Sequence, residues 1–203
     1  MAKIRLTKSE LKKQREALKM YARYLPTLQL KKQQLQSEVN RVQNALEHEQ
    51  AEAEKLKREI HEWVDVFGED VSIAGLIHIK EIRTGEENIS GIDIPIFKEI
   101  EFNIEKYDFI LTPLWVDAGI EAVKETITIK VKIQIYMTQL ELLKQELMTT
   151  TQRVNLFEKV KIPESRDNIK KINIFLGDLQ TAEVVTGKIA KEKIQRKEAM
   201  VSA

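Results

Sequence analysis

The sequence predicts a mainly α-helical protein: a long antiparallel two-helix coiled coil formed by the N- and C-terminal arms, with a small antiparallel β-hairpin region between them. Three observations carry this. A heptad seam runs without a slip from Leu11 to Phe67, a second seam begins at Ile129, and the segment from Gly68 to Thr112 holds four of the seven glycines and the strand-like alternation. The expected division is residues 1–67 for the first arm, 68–117 for the hairpin region and 118–203 for the second arm, kinked near Pro163.

Thr7, Lys8, Ser9 and Glu10 have capping-box spacing, so a helix is expected to start there, the Thr7 hydroxyl accepting from the Glu10 amide while the Glu10 carboxylate reaches back. Beyond it, Leu11, Leu18, Leu25, Lys32, Val39, Leu46, Ala53, Ile60 and Phe67 recur every seven residues. Their companions are Gln14, Tyr21, Leu28, Leu35, Val42, Glu49, Leu56 and Trp63, and 14 of these 17 positions are apolar. A stripe this narrow and this long needs a partner helix. Pro26 lies inside the arm, where its missing amide and its ring predict a kink near Ala22.

Between the arms, Ile100, Phe102 and Ile104 alternate with Glu101, Asn103 and Glu105, and Ile77, Ile79 and Arg83 precede a turn signal expected at Thr84–Asn88. Pro95 and Pro113 bracket the last strand. In the second arm, Ile129, Ile133, Tyr136, Leu140, Leu143, Leu147, Thr150, Val154 and Phe157 form the matching seam. Ile127, Ile129, Val131, Ile133 and Ile135 alternate with period two and taken alone suggest a strand; the helical seam running through them decides for helix. Ile162, Pro163 and Glu164 are expected to interrupt or kink the arm, after which Ile169, Ile172, Leu176 and Leu179 restore helical spacing. Trp63 and Trp115 flank the hairpin region and are expected to pack together.

Composition narrows the chemistry. There is no cysteine, which excludes disulfides, thiolate-held metals and a thiol nucleophile. The net charge of +1 hides blocks: residues 1–46 carry +8, 47–125 carry −12 and 126–203 carry +5. Gly187 and Lys188 are not set in a phosphate-loop spacing, and His48, His61 and His78 have no metal-ligand spacing. Glu69 with Asp70, or Glu86 with Glu87, would need a pocket to work as acid and base, and a two-helix rod offers few. The basic first arm has only Tyr21 and Tyr24 as stacking aromatics, so nucleic acid is not an expected partner. No apolar run approaches the roughly 20 residues of a membrane span. The expectation is a non-catalytic cytoplasmic chain with no cofactor and no metal.

Three strings carry a resemblance: LPTLQLKKQQL at Leu25–Leu35, TTQRVNLFEKV at Thr150–Val160 and INIFLGD at Ile172–Asp178. With the layout, they resemble the D subunits of the V-type rotary ATPases, in their bacterial branch. The resemblance implies a central-stalk rotor shaft that couples ATP hydrolysis or synthesis in a hexamer of A and B subunits to ion translocation by rotation. Its implied partners are the A and B subunits, the F protein of the stalk and the stalk component that links to the membrane ring, with the chain peripheral on the cytoplasmic side. On that reading, Arg5, Lys8, Lys12, Lys188, Lys191 and Lys193 are expected at the sleeve-contacting end. Gln152, Arg153 and Glu158 are outward candidates for the F protein or the hexamer, and Glu86 and Glu87, with Glu99 and Glu101, for the membrane-proximal partner. The alternative is a prefoldin-like coiled-coil chaperone or scaffold, which also joins long helices through β-hairpins.

Overall fold

A computed structural model describes residues 4–63, 75–105, 113 and 115–201. In order, the elements are helix α1 (Lys8–Trp63), strands β1 (Ile77–Ile89) and β2 (Ile92–Ile104), helix α2 (Trp115–Asn155), a six-residue π turn (Leu156–Lys161) and helix α3 (Ile162–Val201). The mainly helical chain with a two-stranded antiparallel sheet between long N- and C-terminal helices is the predicted fold class. Two compact units emerge, one of residues up to Leu30 with those from Thr151 onward, the other Lys31–Thr150.

α1 starts where the sequence places it: the Glu10 amide donates to Thr7 Oγ1 at 3.3 Å. The reciprocal half of the capping box is replaced, because the Glu10 carboxylate accepts from Gln14 Nε2 at 2.9 Å and the Thr7 amide donates to the Arg5 carbonyl at 3.0 Å. Pro26 sits inside α1, which continues through it as helix. From Leu11 to Ile60 every predicted seam residue is buried or half-buried, with Leu35, Val39, Val42 and Leu46 enclosed.

In the Lys31–Thr150 unit, α1 and α2 run antiparallel. Lys31 Nζ donates to Glu146 Oε1 at 2.8 Å, and further along Lys132 Nζ lies 3.4 Å from Glu49 Oε1. Leu35, Val39, Val42 and Leu143 form the core, and the hairpin joins it: Ile94 is buried in the same cluster, with Ile89, Ile92, Tyr136, Leu140 and Leu147 packed against it. A second cluster of Ile77, Val116 and Ile120, covered by Leu76, Phe102, Trp115 and Val123, holds the other end of the hairpin on the start of α2. The Gln139 amide bridges to the Pro95 carbonyl of β2.

The hairpin resolves the strand-like run in α2. Val116, Ile120, Val123, Ile135 and Gln139 lie at helical spacing on a second stripe, and Ile127 and Val131 fall on that stripe by the same spacing. Two apolar stripes on one helix, one for α1 and one toward the hairpin, interleave as Ile127, Ile129, Val131, Ile133 and Ile135 and imitate period two.

The expected turn at Thr84–Asn88 lies instead within β1, and the chain reverses at Ser90 and Gly91, whose φ values of 53° and 83° make a two-residue primed turn between Ile89 and Ile92. Asn88 Oδ1 accepts the Gly91 amide at 3.1 Å. Gly85 serves a different end: it pairs with Ile96, and a Cβ there would stand 2.5 Å from the Lys98 side chain that crosses over it. Register shifts at Ile79/Glu81 and Arg83/Thr84 bend the ribbon.

In the other unit, α1 and α3 also run antiparallel. Gln14 accepts from Asn168 Nδ2, Arg15 donates to Asn173 Oδ1, both at 3.5 Å, and the Tyr21 and Phe157 rings stack with centroids 5.1 Å apart. Val154, Ile162 and Ile172 are the buried apolar anchors here, joined by Ser165 and Asn168. The irregularity expected at Ile162, Pro163 and Glu164 is the π turn just before them: the backbone is helical on both sides of it, at Asn155 and Ile162, so the helix runs on into α3, and Pro163, which has no amide to donate, follows Ile162 directly. The expected packing of Trp63 lies outside the described residues, and Trp115 covers the Ile77–Ile120 cluster.

Candidate partner surfaces

The predicted basic end divides into two groups within its unit. Arg5, Lys8 and Lys12 are exposed at the start of α1, with Lys12 paired to Glu16 at 3.9 Å. Lys188, Lys191 and Lys193 are exposed on α3, where every described residue from Gly177 to Lys197 is open to solvent. The Arg15–Asn173 bond sets the register, and at about 1.5 Å per residue Lys188 stands roughly 12 Å beyond Lys8 along the helices. The first group belongs to paired helices and the second to a helix end with no partner among the described residues.

Two neighbours of the first group, Arg15 and Lys19, are not among the expected site residues. Lys8, Lys12, Arg15 and Lys19 follow i, i+4, i+7, i+11 spacing and line a shallow groove of about 270 Å³ together with Leu11 and Glu16. That spacing, legible in the sequence, places four cations on one face.

Gln152, Arg153 and Glu158 are all exposed, the first two in the last turn of α2 and Glu158 in the π turn that follows. Glu86 and Glu87 are exposed on β1, and Glu87 borders a cleft of about 190 Å³ with Arg41, Phe97, Lys132, Tyr136 and Gln139. Lys132 Nζ lies 6.0 Å from the Phe97 ring centroid there.

Glu99 and Glu101 are engaged within the hairpin. Lys80 Nζ donates to Glu101 Oε2 at 2.8 Å, Arg83 bridges to the other Glu101 oxygen, and Arg83 also reaches Glu81 at 3.0 Å and Glu99 at 3.6 Å. The hydrogen bond from Lys80 and the Arg83 charge hold the Glu101 carboxyl below its ordinary value of 4.5. Reciprocally, Glu101 raises Lys80, and Glu81 with Glu101 raises Arg83. These are cross-strand contacts that alternation alone does not reveal.

Among the described residues no group of three or more His, Cys, Asp or Glu is arranged to hold a metal, and no helix is long and apolar enough to cross a membrane. The class that fold and surface define is a helical-hairpin protein with an inserted β-hairpin, its candidate functional residues being exposed charges suited to protein contacts. The chain belongs to the ATP synthase D-subunit family, whose model matches residues 10–192. It is 50% identical to the V-type ATP synthase D subunit of Borreliella burgdorferi, over 97% of this chain and 98% of that one. The proteins of the same name from Chlamydia pneumoniae and Chlamydia muridarum are 36% and 33% identical, over 97% and 96% of this chain and 95% and 98% of theirs.

Proposed function

We propose that this chain is the central-stalk rotor shaft of a V-type rotary ATPase. As one component of that enzyme complex it has no catalytic role of its own. It couples ATP hydrolysis or synthesis in the A/B hexamer to ion movement through the membrane sector. The observation that carries the reading is near-full-length similarity to V-type ATP synthase D subunits in a chain whose helices pair antiparallel along an apolar seam. A shaft needs helices held together along their length and a polar exterior toward its bearing; an apolar seam within each helix pair, with exposed charges on the outer faces, meets both needs.

In this reading the A and B subunits surround the paired helices, the F protein and the component linking to the membrane ring hold the other part, and the complex lies on the cytoplasmic face. Arg5, Lys8 and Lys12, extended by Arg15 and Lys19, face acidic loops of the hexamer, and so do Lys188, Lys191 and Lys193. Gln152, Arg153 and Glu158 are single contacts around the shaft, and Glu86 and Glu87 are the free acidic contacts of the hairpin. The test is ATP turnover of a reconstituted A/B hexamer before and after adding this chain with the F protein, together with the stoichiometry of the product. One copy per hexamer with altered turnover supports the shaft. Absence of association, or uptake of many copies, overturns it.

A further inference from the structure

The seam of α2 and α3 changes phase by one residue. Leu143, Thr150 and Phe157 recur at seven, and the next members of that row are Ser165, Ile172 and Leu179; likewise Leu147 and Val154 are followed by Ile162, Ile169 and Leu176. Each row steps by eight across the same place. A π turn accommodates one more residue than an α turn, and here the Ile162 amide donates to the Phe157 carbonyl five residues back. The surplus residue is thus absorbed in Leu156–Lys161, and Val154 and Ile162, on its two sides, both stay buried.

That stretch has a second property. No residue of the π turn is fully buried: Phe157 and Lys161 are half-buried, and Leu156 and Val160 are 44% and 47% exposed. The buried anchors Val154 and Ile162 flank it, two residues before its start and directly after its end, at 4% and 9% exposure. Hydrogen bonds between the anchors can therefore open without drawing an enclosed side chain out of the seam. The facing helix is weakened near the same level. Phe157 stacks on Tyr21, and Pro26, slightly more than one turn further along α1, leaves the Ala22 carbonyl without its helical donor. Both helices thus lack regular ladder bonds within about a turn of each other.

We infer that the π turn and Pro26 together form a soft joint in the helix pair, the place where its ladder opens and twists first while the seam on either side stays packed. In a shaft, the function proposed above, load would twist the pair here; the joint is tested on the chain alone and stands whether or not that reading does. Hydrogen exchange of the full-length protein should show amides at Phe157–Ile162 exchanging at least about tenfold faster than those at Leu143–Thr150 and Asn168–Phe175. Equal protection overturns the inference.

Deleting Glu158 removes the surplus residue and returns both rows to steps of seven, so one continuous α-helix keeps the seam in phase. This variant should keep its helicity, and exchange should slow there to the level of the flanks. Loss of helicity or unchanged fast exchange would overturn the joint. Pro26→Ala supplies the missing donor to Ala22 and should slow exchange at residues 22–30 about threefold or more, with no change at Leu35–Leu46. Unchanged exchange at residues 22–30 removes α1 from the joint and overturns its two-helix form.

Discussion

Leu143→Ala tests whether the hairpin is part of the core or merely rests on it. Leu143 is fully enclosed in the cluster it shares with Leu35, Val39, Val42 and Ile94. Truncation removes three carbons, about 2.4 kcal/mol at roughly 0.8 per buried carbon, and the cavity left behind brings the expected loss to about 3 kcal/mol. Ile94→Ala, at 1% exposure on β2, should cost a similar amount although it lies on a different element. Because both side chains border one enclosed space, the double variant should depart from additivity by at least about 0.5 kcal/mol. Met148→Ala, at 64% exposure, should stay within about 0.5 kcal/mol as a control. The assay is urea unfolding followed by far-ultraviolet circular dichroism. A loss below about 1 kcal/mol for Leu143→Ala would refute the packing argument, and strict additivity would show that the hairpin does not share the core.

Other outcomes follow from single features. Gly91→Ala forces a side chain into a backbone of φ 83° and should destabilise the hairpin by about 1 kcal/mol, whereas Ser90→Asn suits the primed turn and should be neutral or stabilising in the same unfolding assay. The Glu101 carboxyl is depressed in the folded hairpin, so its contribution is present above pH 4.5 and is lost as the pH falls below that value. Lys80 is raised, so its contribution is present below pH 10.5 and is lost as the pH rises above it. The protection of β1 and β2 amides, taken relative to the intrinsic exchange rate at each pH, should therefore fall at both extremes, and Glu101→Gln should flatten the acid limb. If the proposed function holds, reversing Lys8, Lys12, Arg15 and Lys19 to Glu should slow association with the A/B hexamer about tenfold at low salt, with the difference shrinking as salt is added. An unchanged rate would remove this face from the interface.

The helix pair is legible in the sequence because its stabilising pattern is one-dimensional: a helical face repeats every seven residues, so each seam residue from Leu11 to Ile60 could be named without knowing its partner. The cap at Thr7 is equally local. Where a residue answers to two elements, the sequence misleads. The alternation at Ile127–Ile135 arises from two interleaved helical stripes, and the second stripe has meaning only once the hairpin lies nearby. Gly85 resembles a turn residue but makes room for Lys98, which a register shift brings across it. Glu99 and Glu101 read as free surface acids until pairing sets Arg83 and Lys80 beside them.

The candidate site follows the same division. Charge type and helical spacing expose the Lys8–Lys19 face in the sequence, but the register set by Arg15 and Asn173 is needed to separate it from Lys188, Lys191 and Lys193. Similarly, the one-residue phase change between Phe157 and Ser165 is written in the order of apolar residues, where Pro163 drew the expected break. Only the tertiary structure decided how the chain absorbs it, because a surplus residue can be taken up by a kink, a loop or a π turn, and the choice depends on keeping both Val154 and Ile162 packed. Periodicity within an element is fixed by backbone geometry and so belongs to the sequence; the meeting of distant elements is fixed by burial, which only the folded chain defines.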